Sequence, residues 1–401
     1  MQSMKPNILF IVPADYDELR EKGVEGLILE RDENGFFGKV LTVHPVSRRT
    51  RSLTLNDQHE VRELGLDLIP GARSYKVLRV VQYPVQLIRV ILEVVRLLKA
   101  SRISLIRAND PFWMGFFALV GSYMTGIPYC VSIHADYDQR MRLDRTISMS
   151  TVFGSYKLAK LLSGYVMRRA SMILPIRESL RPFVLRAGVD DSRIRVIPHG
   201  IDLDFFRQPV RGAARSRFSI ADGKKIISFV GRLSRENYIY DVLEIARRLS
   251  ARRSDFILVV AGGGKEESKV RALVGGDPEL RRHVLLTGFQ SQQVCRDLRV
   301  DSFVSLCLMA GYSLIEACAA GRPVVAYDVE WHHELVKNEF SGFLVAERNV
   351  AGAVDAIDRL MANGDRAMNM GENAKQLAFS KHDIAITSAI KVSCYREILA
   401  T

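Results

Sequence analysis

The sequence predicts two Rossmann-like, doubly wound α/β domains that face a cleft. Short β-branched runs alternate with helical stretches over nearly the whole chain, and these runs lack the polar alternation of half-exposed strands. The length of 401 residues is enough for two domains of ordinary size. A composition of 48% hydrophobic and 25% charged residues is typical of a globular protein and excludes a disordered or fibrous chain.

The expected strands form two series. The first comprises residues 8–12, 40–43, 105–106, 129–133, 172–176 and 194–197. The second comprises residues 226–230, 256–260, 284–286, 303–306, 324–327 and 343–345. Between them lie helices such as 85–99, whose polar residues recur at spacings of three and four and leave a wide apolar surface. This pattern favours a helix packed against a sheet, and a basic helix that lies on a membrane is the alternative.

A polar stretch with Pro209 and Gly212 separates the two series, so we expect a linker over 205–224. The first domain then spans 1–204 and the second 225–380. Ligands of doubly wound sheets bind at the carboxyl ends of strands, which makes the crevice between the domains the natural site.

The basic excess is concentrated in the first half of the chain. Residues 1–200 hold 29 basic and 20 acidic side chains, and residues 140–195 alone hold twelve and four. An anionic partner such as nucleic acid, acidic lipid or a phosphorylated substrate would meet this half, and a solvated basic surface explains the excess equally well. The uncharged run 111–133 is interrupted at Gly126 and Pro128, which favours a helix and a buried strand over a membrane span.

Two short motifs have both a chemical and a structural interpretation. Residues 261–265 complete neither the dinucleotide nor the P-loop pattern, so a tight strand-to-helix turn is expected there. Asp136 and Asp138, like Asp15 and Asp17, have the spacing with which sugar transferases hold a divalent ion, although this spacing is common by chance. His134 directly follows a strand and points into the expected crevice, or else it caps a turn.

Two features of the second half suit an anionic ligand. Arg232 ends the first strand of this half, where a guanidinium can grip a phosphate, or pair with Glu236 at the surface. The segment 311–328 predicts a glycine-led loop, a short helix and a strand, and the N–H groups at such a helix start attract anions. Glu316 lies in this apolar helix and needs a partner, for which a polyol such as ribose is suitable.

At these residues the chain resembles the family-4 (group 1) retaining glycosyltransferases with the two-domain GT-B fold. The similarity rests on segments in this order: 132–136, 196–202, 229–233, 286–289, 314–317 and 321–326. It implies a nucleoside-diphosphate-sugar donor in the second domain and an acceptor, saccharide or lipid-linked, in the first. It also implies that a last helix within 381–401 crosses back to the first domain.

The resemblance implies roles for individual residues. Arg232 holds the donor diphosphate, Glu316 binds the ribose hydroxyls, and His134 orients the transferred sugar. The remaining residues expected to contact the donor are Asn237, Gly288, Phe289, Gly311, Tyr312, Ser313 and Leu314. On the acceptor side we expect Asp15, Asp136 and Arg140.

The chain departs from the family pattern at two positions. Asn237 stands where the family has a lysine, and Leu308 stands where it has an acidic residue that contacts the sugar. Glu330 or Glu334 are candidates to replace that acid.

The resemblance therefore implies a metal-independent, hexosyltransferase-like retaining enzyme of bacterial surface polysaccharide or glycolipid assembly. We expect no cofactor and no nucleic-acid partner, and a cytoplasmic location with an anionic membrane surface, the inner face of the plasma membrane, as a further partner. The alternatives are a degenerate GT-B protein that binds nucleotide sugar without transfer, a sugar-nucleotide epimerase, and a single-domain metal-dependent transferase.

Overall fold

The computed structural model describes residues 5–21, 26–47, 49–65, 76–139 and 155–400. The chain forms two compact units, each built around its own sheet. Unit 1 comprises Met1–Pro198 and Ser388–Thr401, and unit 2 comprises His199–Thr387. None of the described helices is long and apolar enough to cross a membrane.

Unit 1 contains a seven-stranded sheet. Its strands are β1 (Ile8–Ile11), β2 (Val40–Ser47), β3 (Arg51–Thr54), β4 (His59–Gly65), β5 (Leu105–Ala108), β6 (Tyr129–Ile133) and β7 (Met172–Pro175). The strand order is β3-β4-β2-β1-β5-β6-β7, and every neighbouring pair is parallel except β3 and β4. Its described helices are α1 (Tyr16–Glu21), α2 (Gly26–Leu29), α3 (Lys76–Ala100), α4 (Trp113–Thr125), α5 (Tyr156–Arg169) and α6 (Arg181–Arg186).

Both faces of this sheet are covered, which explains the uninterrupted apolar strands. Leu9 and Ile11 of β1 pack in one core with side chains of α3, α4 and α5. Ile8 and Phe10 face the opposite core, which includes Tyr395 of the last helix, α16 (Ile384–Ala400).

Unit 2 contains a six-stranded, fully parallel sheet. Its strands are β8 (Lys225–Val230), β9 (Phe256–Ala261), β10 (Val284–Gly288), β11 (Val304–Leu306), β12 (Val324–Tyr327) and β13 (Gly342–Val345). Their order is β10-β9-β8-β11-β12-β13. Its helices are α7 (Ala213–Arg217), α8 (Ile239–Ser250), α9 (Glu267–Gly276), α10 (Pro278–His283), α11 (Gln292–Asp301), α12 (Tyr312–Ala319), α13 (His332–Leu335), α14 (Val350–Ala362) and α15 (Gly364–His382).

The structure differs from the sequence-based expectations in three places. The hairpin of β3 and β4 was not expected, because β3 alternates between half-buried and exposed residues at the edge of the sheet. Residues 194–197 form only an isolated bridge through Ile194 instead of a strand. Residues 205–224, expected to be a linker, belong to unit 2 and include α7, whose first N–H groups bond to the carboxylate of Asp301.

Candidate functional site

The site expected in the second half of the chain lies at the carboxyl edge of the unit 2 sheet. β8 has β9 on one side and β11 on the other, so the connections that leave β8 and β11 diverge at this point. Such a switch in strand order opens a crevice in which doubly wound sheets bind ligands. The segment with Arg232 follows β8, and the segment 307–311 follows β11.

The backbone around Arg232 is held by the glycine-rich loop after β9. The N–H of Leu233 bonds to the carbonyl of Gly263, and Asn237 Nδ2 donates to the carbonyl of Arg232 at 3.1 Å. A Cβ on Gly262 would stand 1.9 Å from the carbonyl oxygen of Gly231, and Gly262 has a φ of +147°. The glycine is therefore required by the approach of two backbones, and Asn237 contributes by fixing the loop.

The side chain of Arg232 is exposed, and no ion pair engages it within the described part of the chain. The surface pair with Glu236 considered above is not formed. Glu236 instead has its pKa lowered mainly by a hydrogen bond from the Ser234 side chain, with smaller contributions from Lys265 and Arg232. An arginine without a carboxylate partner at the end of a parallel strand is suited to an anion.

The first turn of α12 is fastened to the end of β8. Ser313 Oγ donates to the carbonyl of Val230 at 2.8 Å, two residues before Arg232. The same hydroxyl accepts a hydrogen bond from Arg299 Nη2 at 2.8 Å. These bonds bring the N-terminus of α12, with Gly311 at its cap position, to the arginine-bearing strand end.

Glu316 has a protein partner that the sequence did not indicate. Arg299 Nη1 lies 2.8 Å from Glu316 Oε2, and Arg296 Nε lies 3.8 Å from Oε1. Both arginines come from α11, and the side chain of Arg299 is only 3% exposed. The carboxylate is 14% exposed and has one short contact, which leaves acceptor capacity on its second oxygen for a ligand.

A second residue missed in the sequence, His332, holds the loop that leads to α12. Its ring is fully buried, and burial lowers its pKa. The neutral ring bridges two segments, since Nδ1 lies 2.9 Å from the carbonyl oxygen of Tyr327 and Nε2 accepts the N–H of Ala310 at 3.1 Å. No sequence motif links this histidine to a loop that lies 22 residues earlier, so the sequence alone did not indicate its role.

The other residues expected to contact the donor differ in which of their atoms are accessible to a ligand. Phe289 is 86% exposed, and Gly288 has a φ of +70° and accepts a bond from the N–H of Gly262. The hydroxyl of Tyr312 lies 3.3 Å from His199 Nδ1. The side chain of Leu314 is fully buried, so only its backbone can contact a ligand.

The position where the related family has its sugar-contacting acid is also buried. Leu308 is part of the apolar core of unit 2. Of the two candidate replacements, Glu330 is exposed and follows β12, with a φ of +46°.

The expected residues of unit 1 lie at the carboxyl ends of its strands. His134 follows β6, and its carbonyl accepts a bond from Arg177. Asp15 follows β1 and caps α1 through the N–H of Glu18 at 2.9 Å. Arg140 lies outside the described residues.

The two aspartates after β6 each form an ion pair with a different basic side chain. Asp136 pairs with Arg186 at 2.6 Å, whereas Asp138 pairs with Lys160 at 2.8 Å. The ring of Tyr137 between them packs on Phe112. Among the described residues, no group of three His, Cys, Asp or Glu side chains could hold a metal ion.

Two family models match the chain. The model "Glycosyltransferase Family 4" matches residues 41–205, and the model "Glycosyl transferases group 1" matches residues 210–377. Together the two matches cover most of the sequence.

Curated relatives and a solved structure agree with these matches. The chain is 26% identical to an alpha-D-kanosaminyltransferase of Streptomyces kanamyceticus over 71% of this chain and 74% of the relative. It is 24% identical to the UDP-Gal:alpha-D-GlcNAc-diphosphoundecaprenol alpha-1,3-galactosyltransferase of Escherichia coli over 70% and 72%. The crystal structure of Anabaena HepE in complex with UDP superposes with a TM-score of 0.69 at 15% identity, covering 98% of this chain and 100% of that one.

The two parallel-sheet units are the two Rossmann-like domains of the GT-B fold, which excludes the single-domain transferase considered above. The matches likewise support a glycosyltransferase that uses nucleotide-sugar donors. The chain belongs to the group 1 glycosyltransferases with the GT-B fold.

Proposed function

We propose that this chain transfers a sugar from a nucleoside diphosphate to an acceptor hydroxyl with retention at the anomeric carbon. The observation that carries the proposal is the bond from Ser313, in the first turn of α12, to the carbonyl of Val230, two residues before Arg232. The side chain of Arg232 is exposed and has no ion pair among the described residues. As the glycosidic bond breaks, negative charge develops on the β-phosphate. Arg232 and the first N–H groups of α12 are fixed donors for that charge.

Within this proposal Glu316 binds the ribose of the donor. Arg299 holds one carboxylate oxygen, so the other is presented in a set direction instead of rotating freely. Gly288 and Phe289 lie near the base, and the backbone of 311–314 contacts the diphosphate or the sugar. His134 of unit 1 approaches the transferred sugar, with Asp15, Asp136 and Arg140 on the acceptor side.

We further propose that the transfer needs no metal ion. The charges of Arg232 and of the α12 N-terminus act on the leaving diphosphate directly, and Asp136 and Asp138 are each engaged by a separate cation.

For the acceptor we propose a saccharide or lipid-linked saccharide of bacterial surface polysaccharide or glycolipid assembly. The Escherichia coli relative, named for its diphosphoundecaprenol-linked acceptor, supports this class. The place of action is then the cytoplasmic face of the plasma membrane, with the enzyme bound peripherally to an anionic surface.

A screen of nucleotide sugars tests the proposal, with donor binding followed by thermal shift and products identified by mass spectrometry. We expect Arg232→Ala and Glu316→Ala to abolish or strongly weaken donor binding. Arg235→Ala is the matched control, because Arg235 is an exposed arginine of the same segment whose partner is Glu266. If both site variants bind and turn over the donor like the parent, the site is wrong.

The anomeric configuration of the product, read from its NMR coupling constant, tests retention. Activity that is lost with EDTA and restored by a divalent ion would contradict metal independence.

One observation favours a second function, in which the chain binds the donor without transferring the sugar. Leu308 is buried in the core at the position where the family carries an acidic residue. Donor binding without product on any acceptor tested would support that alternative.

A further inference from the structure

Three helices of unit 1 form one layer on the same face of its sheet. α4 packs against both α3 and α5. Side chains of all three, among them Val94, Phe117 and Val166, share one core with Leu9 and Ile11 of β1. The opposite sides of these helices therefore face away from the sheet; we call this outward side the helical face.

On α3 the helical face carries a stripe of aliphatic side chains. Val85, Ile88 and Leu92 follow one another at spacings of three and four and are 53%, 57% and 57% exposed. Such spacing places them in one line along a helix. Among the side chains of this helix that the structure describes, the exposed cations are Arg89, Arg96 and Lys99.

α5 repeats the pattern. Leu158, Leu161 and Tyr165 have the same spacing and are 49%, 70% and 47% exposed. The helix contains no acidic residue. Its exposed cations are Lys157, Lys160, Arg168 and Arg169.

Between these two helices, α4 carries no charged residue. Tyr123 and Met124 near its end are 91% and 46% exposed. The three helices thus hold eight of the eighteen exposed large hydrophobic side chains among the described residues. A concentration of this kind in one layer marks an interaction surface more than scattered surface residues do.

The charges of the helical face indicate which kind of partner it can bind. Seven exposed cations accompany the apolar stripes, and one of them, Lys160, pairs with Asp138 of the segment after β6 at 2.8 Å. The described side chains of the three helices include one acid, Glu93, which lies 3.6 Å from Arg96. A second copy of this face would place cations against cations. Aliphatic and aromatic side chains among lysines and arginines are the pattern of helices that lie in the interface of an anionic bilayer.

We propose that the helical face of α3, α4 and α5 docks on a membrane that contains anionic lipid. The aliphatic stripes enter the boundary between headgroups and acyl chains, and the cations contact the lipid phosphates. This inference rests on the proposed function for its biological purpose, since a lipid-linked acceptor lies in such a membrane. It assigns the docking to named helices outside the donor site.

Sedimentation of the full chain with vesicles tests the inference. We expect binding to phosphatidylcholine vesicles that contain 30% phosphatidylglycerol, weak binding to pure phosphatidylcholine, and loss of binding at high salt. Ile88→Ser/Leu161→Ser should lower the partition coefficient by about tenfold or more. Lys99→Gln/Lys157→Gln should do the same through charge alone.

Matched variants in unit 2 provide the controls. Val210→Ser/Leu273→Ser removes side chains that are 72% and 48% exposed, and Arg217→Gln/Arg281→Gln removes two exposed cations. We expect both pairs to bind vesicles like the parent. Absence of binding by the parent, or an equal loss in the control pairs, would overturn the inference.

Light scattering and donor binding separate the remaining outcomes. If Ile88→Ser/Leu161→Ser converts a dimer to a monomer and leaves vesicle binding intact, the face joins two copies and the inference is wrong. Because these variants lie outside the donor site, their donor-induced thermal shift should equal that of the parent. Donor binding without vesicle binding would contradict the docking alone, whereas vesicle binding without any donor binding would contradict the proposed function alone.

Discussion

Replacing Arg299 with methionine removes the side chain that joins α11 to α12. Arg299 is 3% exposed and contacts both Glu316 Oε2 and Ser313 Oγ at 2.8 Å. Methionine retains most of the volume, so the change isolates the charge and its contacts. It leaves the carboxylate of Glu316 largely buried, with Arg296 at 3.8 Å as its remaining cation.

The expected cost follows from that burial. Removing one partner of a buried ion pair costs about 3–5 kcal/mol, because the other charge is left desolvated. Arg296 compensates part of this, so we expect a loss of about 3 kcal/mol in the free energy of unfolding of unit 2. In the double variant Arg299→Met/Glu316→Met the buried carboxylate is removed as well, and only Arg296, which is 17% exposed, loses a contact at 3.8 Å. The two effects should therefore be non-additive by about 1–3 kcal/mol.

The two tryptophans make the assay specific for one unit. Trp113 lies in unit 1 and Trp331 is buried in unit 2, so a Trp113→Phe background leaves the fluorescence of Trp331 to report urea unfolding of unit 2. Arg366→Met is the control, because Arg366 contacts Glu339 at the same 2.8 Å but both side chains are over 40% exposed. A surface pair of this kind contributes little. If Arg299→Met costs no more than Arg366→Met, or if the double variant is strictly additive, the assignment of Arg299 as the partner that positions Glu316 is refuted.

Three further results are expected. Arg232→Ala should weaken binding of a nucleoside diphosphate by about tenfold or more in calorimetry, through loss of a charge-assisted contact, while Arg235→Ala should not. Gly262→Ala should weaken the same binding and lower the melting temperature, because the new Cβ meets the carbonyl oxygen of Gly231 at 1.9 Å; normal values for both would contradict the backbone argument. Burial, reinforced by a nearby arginine, lowers the pKa of His44 to about 4, so the unfolded chain takes up a proton near pH 6.5 and the folded chain does not. Unit 1 should therefore lose up to about 3 kcal/mol of stability as the pH falls from 6.5 to 4, and His44→Leu should flatten that part of the urea-unfolding profile.

Much of the fold could be predicted because parallel strands covered on both faces leave a strong pattern. The prediction of a helix followed by a buried strand in the uncharged run 111–133 is confirmed by α4 and β6, since Gly126 and Pro128 end the helix before the strand begins. The hairpin of β3 and β4 was missed because an edge strand needs no apolar run. The expected linker 205–224 is polar and yet packs on unit 2, because Asp301 supplies a cap for α7 from a distant helix.

Some features of the candidate site could likewise be predicted from the sequence, and others could not. Arg232 and the segment before Glu316 were recognisable because a strand end and a helix start are local features. Their joining through Ser313 and Val230 depends on β11 lying next to β8, which the strand order decides.

The amino-acid sequence by itself determined which segments become strands and helices, and it placed an arginine and a helix start where parallel strands end. Only the tertiary structure decided that Arg299 contacts Glu316 and that His332 holds the loop before α12. It also decided that α3 and α5 pack on the same core of unit 1 and leave apolar side chains exposed. The physical reason is the distance along the chain over which each kind of interaction acts. Hydrophobic period and turn chemistry act over a few neighbouring residues, whereas ion pairs, buried hydrogen bonds and shared surfaces join residues that only the packing of helices on a sheet brings together.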